Sequence, residues 1–402
     1  MKKMMSMFLA AVMVFCLAAC GGSTDGTTQP AGSKDGTTQP AGSTVDAGTK
    51  AAETVKIGGI GPLTGDYANY GISVKQGAEI AVKEINAAGG IGGQQIELSF
   101  QDSQGDPESA VNAYGKLMDW GMQLSLGGVF SGETASVCAA AKDDDIMLLT
   151  PSGSSDNILE SNDKAFRVCF NDGYQGVMAA NYIKEKNITN KVAVLYQSDY
   201  DYSTGLYESF KKGCEENGIE IVEVQTFTEG TKTDFTTQIN KLVAADVKLI
   251  FIPIYAEPAS TFLTQAKGKF GDDVYFFGAD GLDGILEKVA QDVSIANNVL
   301  MMTPFAADSP DAKVQAFVKA YQAAYNDATP DQFAADGYDA VYILKAAMEK
   351  AGSSSGAAMA KAMLELEITG VTGTMKWTED GNTQKSAMAI IYKDGVGSLF
   401  GQ

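Results

Sequence analysis

The stretch VKIGGIGPLTGDYANYGISVKQGAEIAVKEINAAGGIGGQQIELSF, residues 55–100, decides the fold. Val55–Ile60 is a short apolar run stopped by Gly61-Pro62, the pattern of a buried strand and its turn. From Tyr67 to Ala88 the apolar residues fall at 74, 78, 81, 82 and 85, a helical spacing that Gly89-Gly90 ends. Ile96–Phe100 is a second strand. Two strands joined by a helix of this length run parallel, through a right-handed crossover.

The same alternation continues outward from this unit. Helices are predicted at Pro107–Trp120, Glu133–Lys142, 174–186, 203–217, 233–244, 258–269, Ala312–Tyr325, 333–350 and 355–366. Strands are predicted at Leu124–Val129, Ile146–Leu149, Phe166–Phe170, Val192–Leu195, Ile219–Val224, Leu249–Ile252 and Val274–Phe277, with a closing hairpin of 373–377 and 386–392. So many strands exceed one comfortable core, and 402 residues, 45% of them hydrophobic, suffice for two. The expected class is α/β, with two doubly wound parallel-sheet lobes.

Ahead of this body the chain carries an address. Lys2 and Lys3 precede an apolar run, Met7–Ala19, that is too short for a spanning helix of about 20 residues. Leu17-Ala18-Ala19-Cys20 then Gly21 resembles a bacterial lipobox, which implies a signal peptide over 1–20 cleaved before Cys20 and lipid attached to its sulfur. Two or more acyl chains, at about 0.8 kcal/mol per buried CH₂, would hold the protein to a membrane on its extracytoplasmic face. Loss of Lys2 and Lys3 takes the formal charge from −20 to −22. Residues 21–53 contain a ten-residue repeat, Gly22–Ala31 and again Gly32–Ala41, without apolar periodicity, so a disordered tether is expected there.

Composition removes several chemistries. With no histidine there is no Ser-His-Asp triad, Cys-His pair or His-liganded zinc, and no metal or cofactor is expected. Thirty basic against 50 acidic residues, with Arg167 the sole arginine, argue against nucleic acid as a partner. Gly59–Thr64 lacks the third glycine of a dinucleotide fingerprint. Cys138, Cys169 and Cys214 are an odd set without CxxC spacing, read as buried structural thiols with pairing left open.

In parallel α/β sheets ligands sit at the carboxyl ends of strands. In the first half those ends carry Phe130-Ser131-Gly132-Glu133-Thr134 and Thr150-Pro151-Ser152-Gly153-Ser154-Ser155, hydroxyl-rich turns suited either to helix capping or to a carboxylate. In the second half they carry Tyr200-Asp201-Tyr202-Ser203, Pro253-Ile254-Tyr255 and Gly278-Ala279-Asp280-Gly281. Tyrosine there either packs or closes over an apolar ligand, and an acid between small residues either makes a turn or approaches a cation.

These residues carry a resemblance. Gly61-Pro62-Leu63-Thr64-Gly65, Tyr70-Gly71, and Gly77-Ala78-Glu79 through Ile85–Gly93 resemble the leucine/isoleucine/valine-binding proteins of ABC importers, and the later strand-end loops follow in the same order over about 54–402. The resemblance implies a type I periplasmic binding protein fold with three crossing segments and a ligand cleft between lobes. The borders it implies are 54–172 plus 304–371 for lobe I and 173–303 plus 372–402 for lobe II. It places Ser131 at a carboxylate-binding serine and Ser152 at a backbone carbonyl that accepts the ligand ammonium. Ser154 stands at a threonine touching both groups, and Tyr70 at an aromatic beside the ligand. Tyr202 and Tyr255 stand at cleft tyrosines, and Asp280 at the acid that pairs the ammonium. The chain departs from relatives in the shorter Asp280, in Ser154, in Glu133 beside the carboxylate turn, and in Gln104 and Phe130 near a cysteine pair of some relatives.

The expected function is capture of an amino acid, branched-chain or otherwise aliphatic, by hinge closure, without catalysis, for an ABC permease and its ATPase. A receptor or sensor module for another small carboxylate or amide is the alternative. The end of the sequence at Gln402 without a further segment speaks against a sensor.

Overall fold

The computed structural model describes residues 54–400; Cys20, the leader and the repeats lie outside the described residues. The first passage of the chain runs β1 (Val55–Gly61), α1 (Ala68–Ala87), β2 (Ile96–Asp102), α2 (Pro107–Trp120), β3 (Leu124–Leu126), α3 (Ser131–Ala140), β4 (Leu148–Thr150) and β5 (Ala165–Arg167). Its five strands are parallel in the order β2-β1-β3-β4-β5. The second passage runs α4 (Asp172–Glu185), β6 (Lys191–Gln197), α5 (Asp201–Asn217), β7 (Glu220–Phe227), α6 (Thr236–Ala244), β8 (Leu249–Phe251), α7 (Ala256–Ala266), β9 (Tyr275–Gly278), α8 (Ile285–Lys288) and β10 (Val299–Thr303). These strands repeat the winding, with β7-β6-β8-β9-β10 in order and all parallel. The chain then adds α9 (Ala312–Ala324), α10 (Gln332–Ala351) and α11 (Gly356–Met363). Last come β11 (Glu367–Gly370), β12 (Gly373–Trp377), β13 (Thr383–Gln384), β14 (Met388–Lys393) and β15 (Val396–Leu399).

The first crossover forms as its sequence dictates. Helix α1 buries Ala78, Ala81 and Ile85 against β1 and β2. It also meets α10 almost backbone to backbone. A Cβ on Gly77 would sit 1.8 Å from the Ala334 carbonyl oxygen, and one on Gly337 would sit 2.2 Å from that of Val74. Glycine at both positions is what lets the C-terminal helix roof the first sheet.

The expected hairpin of 373–377 with 386–392 does not form. β12 pairs with β11 across the two-residue turn Val371-Thr372, and with β13 on its other side. β14 instead pairs antiparallel with β10 and carries β15 at the sheet edge. The shorter loop wins because its closure costs less entropy. Asp339 then fastens the turn, accepting hydrogen bonds from the backbone N–H groups of Val371 and Thr372, both at 2.9 Å, and from the Thr372 hydroxyl at 2.6 Å. Met375 and Trp377 consequently pack among Ile57, Leu124 and Leu344 in the first core. The chain rejoins the second sheet at Met388 rather than at 372.

In each sheet the winding direction reverses beside one strand, at β1/β3 in the first and at β6/β8 in the second. Ligands in such sheets bind outside the carboxyl ends at those reversals. The helix starts there carry Tyr70 in α1 and Ser131 in α3 in one lobe, and Tyr202 in α5 and Tyr255 just before α7 in the other.

Candidate functional site

In the first lobe the ends of β3 and β4 are bound to each other. The Thr150 hydroxyl donates to the Gly128 carbonyl at 2.6 Å, and Ser152 Oγ donates to that of Val129 at 2.8 Å. Ser131, in the first turn of α3, accepts hydrogen bonds at its hydroxyl from the N–H groups of Ser154 (3.3 Å) and Ser155 (3.1 Å). Arg167 shapes the same turn from behind. Its fully buried guanidinium donates to the carbonyls of Gly153 (3.2 Å), Ser154 (2.6 Å) and Ser155 (2.9 Å). The sole arginine of the chain therefore spends its charge on holding a loop.

Glu133 is engaged at the start of α3. It caps α3, accepting from the Phe130 N–H at 3.2 Å and the Ser103 hydroxyl at 2.5 Å, and is fully buried. Burial raises its carboxyl to about 7, against the lowering effect of Ser103 and the Phe130 N–H. An acid raised on folding takes up a proton, so its penalty grows as pH rises from about 4.5 to 7. Glu133→Gln should therefore stabilise the protein at pH 8 by about 3 kcal/mol and leave it unchanged at pH 4. Thermal unfolding at the two pH values checks this.

In the second lobe Asp280 follows β9. Its Oδ1 accepts from the Tyr202 hydroxyl at 2.8 Å and the Gly281 N–H at 2.9 Å. A Cβ on Gly281 would stand 2.6 Å from the Tyr202 hydroxyl oxygen, so this bond requires glycine there. Tyr202 and Tyr255 stack at 4.7 Å with 17° between their planes. Burial raises Asp280 to about 6, partly offset by Tyr202, Gln175 and the Gly281 N–H.

Between these halves lies a polar compartment whose hydrogen-bonding capacity the protein does not spend on itself. Both carboxylate oxygens of Asp172, at the start of α4, are buried and without a hydrogen-bond partner, as are Ser155 Oγ, Gln175 Nε2 and Arg167 Nε. Gln175 meanwhile accepts the Asp280 N–H at 3.1 Å, which fixes the loop after β9 against this helix of the same lobe. Burial and then the charge of Asp280 hold the Asp172 carboxyl well above the usual carboxylate range, against the lowering effect of the neighbouring Ser154 and Ser155 side chains, which stand near it without forming a hydrogen bond of normal geometry. Buried polar groups of native proteins are nearly always paired, so a run of unspent acceptors and donors is where a polar ligand belongs. Asp172 and Gln175 are not among the residues the sequence singles out, and Ser155 enters there only as the last residue of its turn. Asp172 and Gln175 also follow a strand end, the one after β5, and stand in the run Asp172-Gly173-Tyr174-Gln175 that opens a helix.

One flank of this compartment is aromatic. Phe130 lies 4.9 Å from Tyr255 and 5.5 Å from Tyr70, and Tyr70 lies 5.2 Å from Tyr255 and 4.8 Å from Phe333. Tyr67 closes the ring, 5.9 Å from Phe130 and 5.7 Å from Tyr255. The buried Tyr70 hydroxyl, reaching from the first lobe, donates to the Gly281 carbonyl at 2.6 Å and accepts the Ala256 N–H at 2.9 Å. The structure thus gathers the expected residues into two linked sets. Ser131, Ser152 and Ser154 hold the first-lobe turns, while Tyr70, Tyr202, Tyr255 and Asp280 meet around Gly281.

Residues 54–394 match the model of a periplasmic binding protein family. The leucine-, isoleucine-, valine-, threonine- and alanine-binding protein of Pseudomonas aeruginosa is 31% identical over 86% of this chain and 92% of its own length. The chain belongs to the branched-chain amino acid substrate-binding family of ABC transporters. The Leu/Ile/Val-binding protein of Escherichia coli is 27% identical over 82% of this chain and 88% of its own. Among solved structures, the branched-chain amino acid transporter substrate binding protein LivJ of Streptococcus pneumoniae, in complex with isoleucine, superposes with a TM-score of 0.80 at 31% identity. It covers 86% of this chain and 98% of that one. The leucine binding protein LivK of Thermotoga maritima gives a TM-score of 0.79 at 25% identity, over 86% and 97%. The fold is the type I periplasmic binding protein fold of these relatives.

Cys138, Cys169 and Cys214 are free and buried. Burial raises all three thiols, the largest influence in each case. Among the described residues no group of three or more cysteines and acids is placed to hold a metal, and no helix is long and apolar enough to cross a membrane. A cavity of about 520 Å³, lined by Asp283, Glu287, Phe305, Asp331 and Tyr392 among others, shares no residue with the polar compartment.

Proposed function

We propose that this family member captures a free α-amino acid in the cleft between its lobes and presents it to an ABC permease and its ATPase. The observation that carries the reading is the unspent set of Asp172, Gln175 and Ser155 beside Asp280, opposite an aromatic wall. A zwitterion needs this division. Its ammonium pairs with buried carboxylates, its carboxylate meets N–H groups and hydroxyls at a helix start, and its side chain meets rings. Ser131, Ser152 and Ser154 serve the first-lobe end of the ligand, and Tyr70, Tyr202, Tyr255 and Asp280 the second. The side chain we favour is aliphatic, as in the relatives named for leucine, isoleucine and valine. We read the protein as a binder rather than an enzyme. It has no histidine, and Asp280 is engaged with Tyr202 and the Gly281 N–H rather than poised beside a nucleophile.

We further propose that lipid on Cys20 holds the body at the extracytoplasmic face, with 21–53 as the tether. We place the lobe borders at the crossings near 168–172, after Thr303, and between Gln384 and Met388.

Isothermal titration with the twenty amino acids tests the central reading: binding of at least one aliphatic amino acid is expected. A folded protein that binds none of the twenty ends it. Asp172 supplies a second check. Asp172→Asn should weaken that binding about tenfold, about 1.4 kcal/mol. The ligand-free variant should also melt higher than the parent, because an unpartnered buried carboxylate is gone. A melting point that falls would show that Asp172 is structural.

A further inference from the structure

At the mouth of the cleft, outside the polar compartment, charges cross from one lobe to the other. Lys232 follows β7 in the second lobe, and its side chain is 14% exposed. Its ammonium lies 3.1 Å from Asp66 Oδ2 of the first lobe and 2.5 Å from Glu229 Oε1 of its own lobe. It also stands 4.9 Å above the ring of Tyr67 and 3.4 Å from its hydroxyl. Lys288, after β9, donates to the Asp66 backbone carbonyl at 2.8 Å and pairs with Glu257 at 2.7 Å. The Tyr67 hydroxyl meets Glu229 at 3.3 Å. Thus two second-lobe lysines grip the Asp66–Tyr67 corner just before α1, and the gripped tyrosine, like Tyr70, touches both Phe130 and Tyr255.

We propose that Lys232, Lys288 and Asp66 form a latch that holds Tyr67 over the cleft and sets how long a captured ligand stays. This rests on the amino-acid-binding reading above only for the identity of the ligand. None of these contacts involves a ligand atom, so each adds to closure whatever the cleft holds. An isolated surface ion pair adds little, but Lys232 is mostly covered and combines two carboxylates with an aromatic face. Contacts made after the ligand has entered slow its release more than they speed its arrival. Lys232 is therefore a positioning residue: it acts on the ligand through Tyr67 and Asp66.

The test uses Lys232→Met, with Asp66→Asn as a second variant and Lys232→Arg as the charge-keeping control. Two readouts separate the latch from the amino-acid reading. The first is the interlobe distance in ligand-free protein, from spin labels on cysteines replacing the exposed Lys83 and Lys212. Lys232→Met and Asp66→Asn should shift the distribution to longer distances. Molar salt should do the same to the parent, whose partly exposed charges it screens. The second is stopped-flow release of isoleucine, or of whichever of the twenty amino acids the parent binds. Release should quicken about tenfold with association nearly unchanged, and Lys232→Arg should restore it. Unchanged distances and unchanged release in both variants overturn the latch. If the parent binds no amino acid, the functional reading fails, and the distances alone decide the latch.

Discussion

Asp280→Asn should weaken amino-acid binding by well over tenfold. Asp280 is 5% exposed, and two donors, the Tyr202 hydroxyl and the Gly281 N–H, already orient its Oδ1. The substitution keeps the size of the side chain and replaces one carboxylate oxygen by an N–H donor. That donor would face either the Tyr202 hydroxyl or the ligand ammonium, and losing a charged partner in such a site costs about 2–5 kcal/mol. The same residue gives binding a pH signature. Burial lifts Asp280 to about 6, whereas an ammonium beside it favours the ionised form. Ligand uptake below pH 6 must therefore expel a proton, so affinity should hold above about pH 7 and fall as the pH drops through 6. Titration calorimetry at pH 5.5 in two buffers of different ionisation enthalpy would show that proton. In Asp280→Asn the fall in affinity centred near pH 6 should be lost along with most of the affinity, leaving only the proton that Asp172 gives up. An unchanged affinity would remove Asp280 from the site.

Lys385→Met should cost stability rather than binding specificity, by about 3–5 kcal/mol. Lys385 stands between β13 and β14, where the chain leaves the first lobe for the last time. Its ammonium is fully buried and donates to the Val168 carbonyl at 3.1 Å, to Thr372 Oγ1 at 2.8 Å and to Asp336 Oδ1 at 3.4 Å. It thereby ties the crossing after β5 to the crossing before β14. Even beside this cation, burial keeps Asp336 near 7. Without it, the acid would be stranded among Asp339 and Asp280, whose charges already act on it. Urea unfolding at pH 8 should show the full loss. Below pH 6 Asp336 is neutral in the folded state, so the loss should shrink there. Adding Asp336→Asn should recover part of it at pH 8. A variant as stable as the parent at pH 8 would mean that the buried pair contributes nothing.

Both predictions turn on residues with very different visibility in the sequence. Asp280 could be found because it ends a strand between small residues, and parallel α/β sheets place ligands at strand ends. Ser131, Ser152, Ser154, Tyr202 and Tyr255 stand out as candidates for the same reason, and all five lie in the segments that follow strands. Glu133 was visible but ambiguous. A charge beside a carboxylate-type turn looked like a functional departure, and its bonds to Ser103 and the Phe130 N–H show a cap. Lys385 is one lysine of the polar run Asn382-Thr383-Gln384-Lys385-Ser386. Nothing local distinguishes it, because its three partners come from the end of β5, from α10 and from the turn before β12.

Periodicity and strand-end chemistry determined the βαβ class, the two windings and most of the residues around the cleft. These are local properties: a helix needs its apolar stripe, a strand its apolar run, and a turn its glycine, all within a few residues. Tertiary structure decided the rest. It chose the two-residue turn at Val371-Thr372 over the longer hairpin, and sent β14 to β10. It brought Gln175 to the Asp280 backbone, 105 positions along the chain, and left Asp172 buried without a partner. It also set Lys232 over Tyr67. Such pairings are fixed by which surfaces remain to be covered once the sheets have formed. A sequence window records the residues that need covering, but not which distant segment covers them.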